Sequence, residues 1–231
     1  MTGPAKPDDA RPRPLFDVLF AIAVLGVLGA VARAVFFTPV EATQGAAQKI
    51  YYIHVPAALS AYLALVIAAL ASIAYLWLKD ARADRLAESA GEVALLFTTV
   101  VLTTGPLWAR PIWGAWWSWD ARLTLTLFLW FVTLSYLVLR GAVDDAAMRA
   151  RYSAVLAVLA ALLIPFIHLS VYLFRTLHPM PIVLKPSEPS LPGVMLTTFV
   201  LASLAFLFFC SMLIRARYRL GLARDAAAEM S

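Results

Sequence analysis

Residues 107–122 read LWARPIWGAWWSWDAR, which places five of the chain's seven tryptophans (Trp108, Trp113, Trp116, Trp117 and Trp119) within twelve positions. The stretch lies between two apolar runs, at about 91–107 and 123–139. Further apolar runs lie at about 16–37, 51–78, 153–175 and 194–214. All six meet the roughly 17–25 residues that a helix needs to cross a hydrocarbon core of about 30 Å. A composition of 62% hydrophobic and 14% charged residues, with a mean hydropathy of +0.81, exceeds that of a soluble domain. Lipid leaves no partner for an unpaired backbone group, and period-2 alternation is absent, so the spans are expected as helices and not as barrel strands. The fold class is therefore an all-α integral membrane protein with six transmembrane helices. Residues 1–231 form one membrane domain: 1–15 is a Pro-rich lead, 108–122 a tryptophan-rich loop between helices 3 and 4, and 215–231 a tail.

Basic residues set the orientation. Of the 19 Lys and Arg, thirteen fall on one side of the spans and six on the other: Arg33, Lys49, Arg110, Arg122, Arg175 and Lys185. Both termini are expected in the cytoplasm, with the loops at about 38–50, 108–122 and 176–193 facing outward. The net charge of +5 is then mostly a positive-inside signature and gives nucleic-acid binding almost no weight. Ala32-Arg33-Ala34 loosely resembles a signal-peptide cleavage site, but the preceding apolar run is too long for an h-region, so the first helix is expected to stay. The single cysteine, Cys210, lies inside the last span; no CxxC, Cys/His cluster or Gly-rich phosphate loop occurs.

Residues capable of chemistry collect on the outward side. His54 opens the second span in YYIHVPAA, where Pro56 suits a first helical turn. His178 follows the fifth in FRTLHPMP, where Pro179 ends the helix. Two imidazoles on either side of an aromatic shelf suit an iron porphyrin, which takes neutral histidine as axial ligand and stacks on apolar rings. If the chain after Pro111 is locally helical, Trp113, Trp116, Trp117 and Asp120 share one face and Trp119 turns aside. Arg110, Arg122 and Lys49 near the rim would pair with two ligand carboxylates such as propionates.

Each reading has a structural alternative. Tryptophans gather at membrane interfaces as belt residues, which accounts for one or two of the five, while the density of the cluster favours ligand contact. For the two histidines the structural and ligand readings stand level. His168, ten residues before His178, would lie about 15 Å deeper in a continuous helix and reads as a packing histidine hydrogen-bonded with the help of Ser170. Asp120 is expected to pair with Arg122 or backbone N–H groups, and Asp17 and Glu92 to sit near cytoplasmic helix ends.

WGAWWSWDARLT resembles the tryptophan-rich "WWD" signature of haem-handling membrane proteins in cytochrome c maturation. YYIHVPAA and IPFIHLSVYLFRTLHP resemble the flanking motifs of one such family, CcmC or haem exporter protein C, over residues 40–195. Larger relatives, CcmF and CcsA, share the signature but have more spans and histidines. The resemblance implies an inner-membrane protein with periplasmic functional loops that handles haem b as cargo and is not an enzyme. It implies His54 and His178 as axial ligands, Trp108, Trp113, Trp116, Trp117 and Trp119 as the ring platform, and Asp120 and Arg122 as the rest of the motif. Lys49 stands where the family usually has arginine, a weaker grip on a propionate in geometry though not in charge. The implied partners are the periplasmic haem chaperone CcmE, which receives the haem covalently, the ABC-type subunits CcmA and CcmB, and the small membrane protein CcmD. Two other functions stay open: a transmembrane haem permease subunit, and a haem b electron-transfer subunit.

Overall fold

The computed structural model describes residues 16–230 apart from Arg175, Leu184 and Pro186. The expected lead at 1–15, with Lys6, Arg11 and Arg13, and the outward Arg175 lie outside the described residues. Among those residues six helices are long and apolar enough to span a membrane. They are α1 (Val18–Ala32, prolonged by a π-helical turn at Arg33–Phe37), α2 (Tyr51–Leu78, preceded by a 3₁₀ turn at Ala46–Ile50), α3 (Ala81–Trp113), α4 (Ala121–Ala142), α5 (Ala146–Leu173) and α6 (Gly193–Glu229). The protein is a multi-pass helical membrane protein.

Helix α2 is central and packs against α3, α5 and α6, while α1 lies on α6 and α4 bridges α3 and α5. Small residues explain the close packing. Ala57, Ala61, Ala64 and Ala68 of α2 meet Ala90 and Ala94 of α3 and Ala157 and Ala160 of α5, all buried. Lipid tails are as apolar as leucine, so helices associate in a bilayer through close van der Waals contact, which small side chains permit. Gly91 is one tight point within the apolar core, because a Cβ there would stand 2.6 Å from Cε1 of the buried Tyr136 on α4.

Four elements run differently from the hydropathy reading. Helix α3 covers 33 residues where the apolar run covers about 17. Its extra turns carry Asp84, Arg85 and Glu88, charges that end an apolar run but here find partners. Asp84 takes both Nη atoms of Arg140 on α4, at 2.7 and 2.9 Å, and Glu88 pairs with Arg85 and with Arg140 at 3.3 Å. Helix α6 likewise continues past its apolar run because Arg217 pairs with Glu92, and Arg215 at 2.5 Å with Asp17, the N-cap of α1. Glu92 is thus well inside a helix and not near its end. Pro56 is the sixth residue of α2 and not in its first turn. Helix α5 stops at Leu173, so His168 and His178 are not on one continuous helix.

Gly91→Ala should destabilise the bundle. Overpacking costs about 1–3 kcal/mol against a helix-propensity gain of about 1 kcal/mol for replacing glycine. Thermal unfolding in detergent should show a lowered Tm for Gly91→Ala, recovered in part by adding Tyr136→Leu; an unchanged Tm would mean the Tyr136 ring moves freely.

Candidate functional site

The loops opposite the ion-paired helix ends surround a cavity of about 210 Å³ between α2, α3 and α4. It runs from Gln44, Trp117 and His178 down to Ala61, Thr98 and Leu129, and its wall is mostly apolar. Six of the residues singled out in the sequence line it: His54, Trp108, Trp113, Trp117, Arg122 and His178.

Local sequence explains each placement. Helix α3 ends at Trp113 because Gly114 takes a left-handed conformation (φ 75°) and returns its N–H to the carbonyl of Arg110. Arg110 donates from its guanidinium to the Gly114 carbonyl and lies over the Trp116 ring, 6.0 Å from its centroid. The chain is non-helical from Gly114 to Asp120. The expected helical face through Trp113, Trp116, Trp117 and Asp120 therefore does not form: the glycine turns the chain just where that face would begin. Trp117 enters the cavity wall, edge-on to Trp119 at 5.8 Å, whereas Trp116 and Trp119 are 57% and 76% exposed and do not line it.

Asp120 caps α4, accepting from the Leu123 N–H at 3.0 Å and from the Ser118 hydroxyl at 3.3 Å. Of the two pairings expected for it, the backbone one forms. Among the described residues the buried Nη1 of Arg122 has no hydrogen-bond partner, and the Trp117 indole N–H is in the same condition. Lys49 donates to the carbonyls of Val35 at 2.5 Å and Thr38 at 3.1 Å and lies outside the cavity wall. It closes the end of the π-helical turn instead of reaching the rim.

His54 and His178 are held differently but to the same chemical effect. The His54 Nδ1 lies 2.8 Å from Thr104 Oγ1, which also lies 2.7 Å from the Val100 carbonyl; with Nδ1 as donor, Thr104 accepts from the ring and donates to Val100, so all three groups are satisfied. The His178 Nδ1 lies 3.0 Å from the Pro179 carbonyl, which can only accept. Nδ1 is engaged in both rings, and with the proton there Nε2 keeps its lone pair for a ligand. Burial, then the charge of Arg122, pushes the His178 pKa down to about 4, so its ring is neutral at physiological pH. Trp108 lies edge-on to His54 with ring centroids 5.9 Å apart, and its indole N–H donates to Gln44 Oε1 at 3.0 Å. Gln44 is placed by Glu41, which accepts from the N–H groups of Thr43 and Gln44; those bonds hold the Glu41 carboxyl below its ordinary range. His168 is not in the cavity wall, and Ser170 donates to the Ile167 carbonyl instead of assisting it.

Gln44, Tyr62, Thr104 and Gly105 belong to the site and were not singled out by sequence. Their types are common in membrane helices and interface loops, and only the α2–α3 packing brings them to the histidines.

The model of the Heme exporter protein C family matches residues 10–231. The chain belongs to the Heme exporter protein C family. A family member from Haemophilus influenzae is 35% identical over 214 residues, covering 90% of this chain and 85% of that one. Another, from Bradyrhizobium diazoefficiens, is 38% identical over 168 residues, covering 73% of this chain and 64% of its own length. A Marchantia polymorpha protein with "cytochrome c biosynthesis ccmC-like mitochondrial protein" in its name is 32% identical over 182 residues, covering 79% of this chain and 74% of that one.

The capping role of Asp120 in this family member has a direct check. Asp120→Asn keeps a capping side chain and should leave the Tm unchanged, whereas Asp120→Ala should cost about 1 kcal/mol, or about 2–4 °C in thermal unfolding. An equal loss in both variants would point to a need for the negative charge itself.

Proposed function

We propose that this chain binds haem b as cargo at the periplasmic face of the inner membrane and presents it to the haem chaperone CcmE for covalent attachment during cytochrome c biogenesis. The observation that carries the reading is the pair of histidines on one cavity, both with Nδ1 engaged in a hydrogen bond, which leaves Nε2 as the atom open to a metal. Among the described residues no group of three or more His, Cys, Asp or Glu gathers for a metal ion. Two imidazoles suit a metal that brings its own equatorial ligands, as porphyrin iron does. The unpaired Nη1 of Arg122 fits a propionate, and the Trp117 N–H supplies a second donor. Trp108, Trp113 and Trp117 offer ring surfaces, so the cavity's residues fit the group.

Within this function the chain holds and orients without acting as acid or base. Positioning a reactive edge before an acceptor is itself worth several kcal/mol of barrier, about 7–11 in well-oriented cases. The ABC-type subunits CcmA and CcmB, with CcmD, are the partners that would supply energy for release. Passage of haem through the chain is less well supported than holding. Below Ala61, Thr98 and Leu129 the helices are packed by Leu65, Ala68, Ala94 and Tyr136. Electron transfer across the bilayer is disfavoured by the position of His168, away from the cavity that holds the other two histidines.

The decisive test is the visible spectrum of the detergent-purified protein with added haem. Six-coordinate bands should be present in wild type and in His168→Ala and lost in His54→Ala and His178→Ala; four identical spectra would sink the reading. Full loading of the chaperone in membranes carrying either cavity variant would show that bis-histidine holding is not required.

Acid titration adds a second check. A histidine whose pKa is lowered keeps its neutral, ligating form until pH falls toward that lowered value, so His178 stays competent down to about pH 4. Haem uptake by the haem-free protein should be equally strong at about pH 8 and pH 6, where an ordinary histidine begins to protonate. Weaker uptake at about pH 6 would contradict it.

A further inference from the structure

We propose that Thr104 is a positioning residue for haem ligation: it holds His54 in the tautomer that keeps Nε2 free for the iron. The inference rests on the bis-histidine reading above and extends it to a residue that does not belong to the tryptophan signature or the two histidine motifs.

Several threonines on α3 and α4 spend their hydroxyl proton on a carbonyl one turn back, among them Thr98, Thr99, Thr103, Thr104 and Thr126, at 2.7–2.8 Å. Such a hydroxyl still has lone pairs to offer. Thr104 offers one to His54 across the α2–α3 interface, at 2.8 Å. Ligation through Nε2 requires the ring proton on Nδ1, and Thr104 Oγ1 can accept it while keeping its own proton on the Val100 carbonyl. If His54 carried its proton on Nε2, Thr104 would have to turn its hydroxyl to Nδ1 and give up the Val100 bond. The arrangement that satisfies all three groups is therefore the ligating tautomer, and the same bond fixes the ring plane.

The neighbouring residue makes this contact possible. A Cβ at Gly105 would stand 3.4 Å from His54 Cε1, so the ring rests against the backbone of α3 where no side chain intervenes. Trp108, one turn further along α3, closes the other side edge-on. His178 has no comparable brace from another helix, since its Nδ1 bonds the carbonyl of the next residue in its own loop. His54 is thus the ligand fixed to the bundle, and Thr104 is what fixes it. An imidazole whose N–H is engaged is also a more basic ligand, which favours ferric iron.

Haem titration and a redox titration of the bound haem, on the full-length protein in detergent, test this with four proteins: wild type, Thr104→Val, Thr104→Ser and Thr103→Val. Thr103 is the matched control, exposed on the same helix, with the same bond to a carbonyl one turn back. Thr104→Val should bind haem about 10- to 100-fold more weakly, and the haem that binds should have a higher reduction potential. Thr104→Ser should restore both, and Thr103→Val should match wild type. If Thr104→Val does not fold, Thr104→Ala carries the same expectation. A six-coordinate wild type together with unchanged affinity and potential at position 104 overturns the role of Thr104 alone. A wild type without six-coordinate haem overturns the bis-histidine reading and this inference with it.

Discussion

The close approach of α2 to α3 is the constraint on which the rest of the structure depends. In lipid neither helix gains from hiding apolar surface, so their association relies on short-range dispersion between many atoms. Alanines at Ala57, Ala61, Ala64 and Ala68, against Ala90 and Ala94, bring the two backbones near enough for that. The same approach carries His54 to Gly105 and within hydrogen-bonding distance of Thr104. Beside this contact the helices do not fill the space between them, and the cavity opens, from Ala61 and Thr98 past Leu102 and Pro106 to Ile112. Packing and site are thus two stretches of one interface.

The two ends of the bundle treat charge in opposite ways. At one end nearly every acidic side chain on a helix is matched: Asp17 to Arg215, Asp84 to Arg140, Glu92 to Arg217, and Asp225 to Arg85. Pairs of this kind tie the long α3 and α6 to their neighbours beyond the apolar runs. At the cavity end a buried guanidinium nitrogen of Arg122 and the Trp117 N–H have no partner among the described residues. A buried donor left unpaired costs roughly 1–3 kcal/mol, more when charged. Arg140, Arg215 and Arg217 also have a buried Nε without a hydrogen bond, but each of them sits in an ion pair, so the cavity end is where a ligand carboxylate has most to contribute.

Six apolar runs were legible in the sequence because hydropathy depends on summed composition over many residues. The helix ends were not, since Arg82 to Glu92 and Arg215 to Asp225 lower hydropathy while their ion pairs extend the helices. His54, His178 and the tryptophan cluster stood out as residue types in unusual places, and the structure brings both histidines to one cavity. The conditional helix through Trp113 and Asp120 failed on one residue, Gly114, whose positive φ ends α3. Lys49 could not be placed from spacing, because its partners are main-chain carbonyls at Val35 and Thr38 that any sequence would supply. Thr104 was hidden among similar threonines, and only the register of α2 against α3 distinguishes it.

The tryptophan cluster, dense as it is, splits into two environments. Trp108 and Trp113 lie on α3, five residues apart, and both line the cavity because the helix presents them to α2 and α4. Trp117 joins them from the irregular segment, where Asp120 capping of α4 and the Gly114 turn leave few places for so large a ring. Trp116 and Trp119, on either side of it, are exposed on the outer surface, one beneath Arg110 and the other against Trp117. Helix α4 is 22 residues long, about 33 Å at 1.5 Å per residue, so its N-terminus and this segment fall near the edge of a hydrocarbon core of about 30 Å. An indole at that depth has a wet side and an apolar side, and satisfies both by lying in the interface. Cavity lining and an exposed surface position therefore account for different members of one motif.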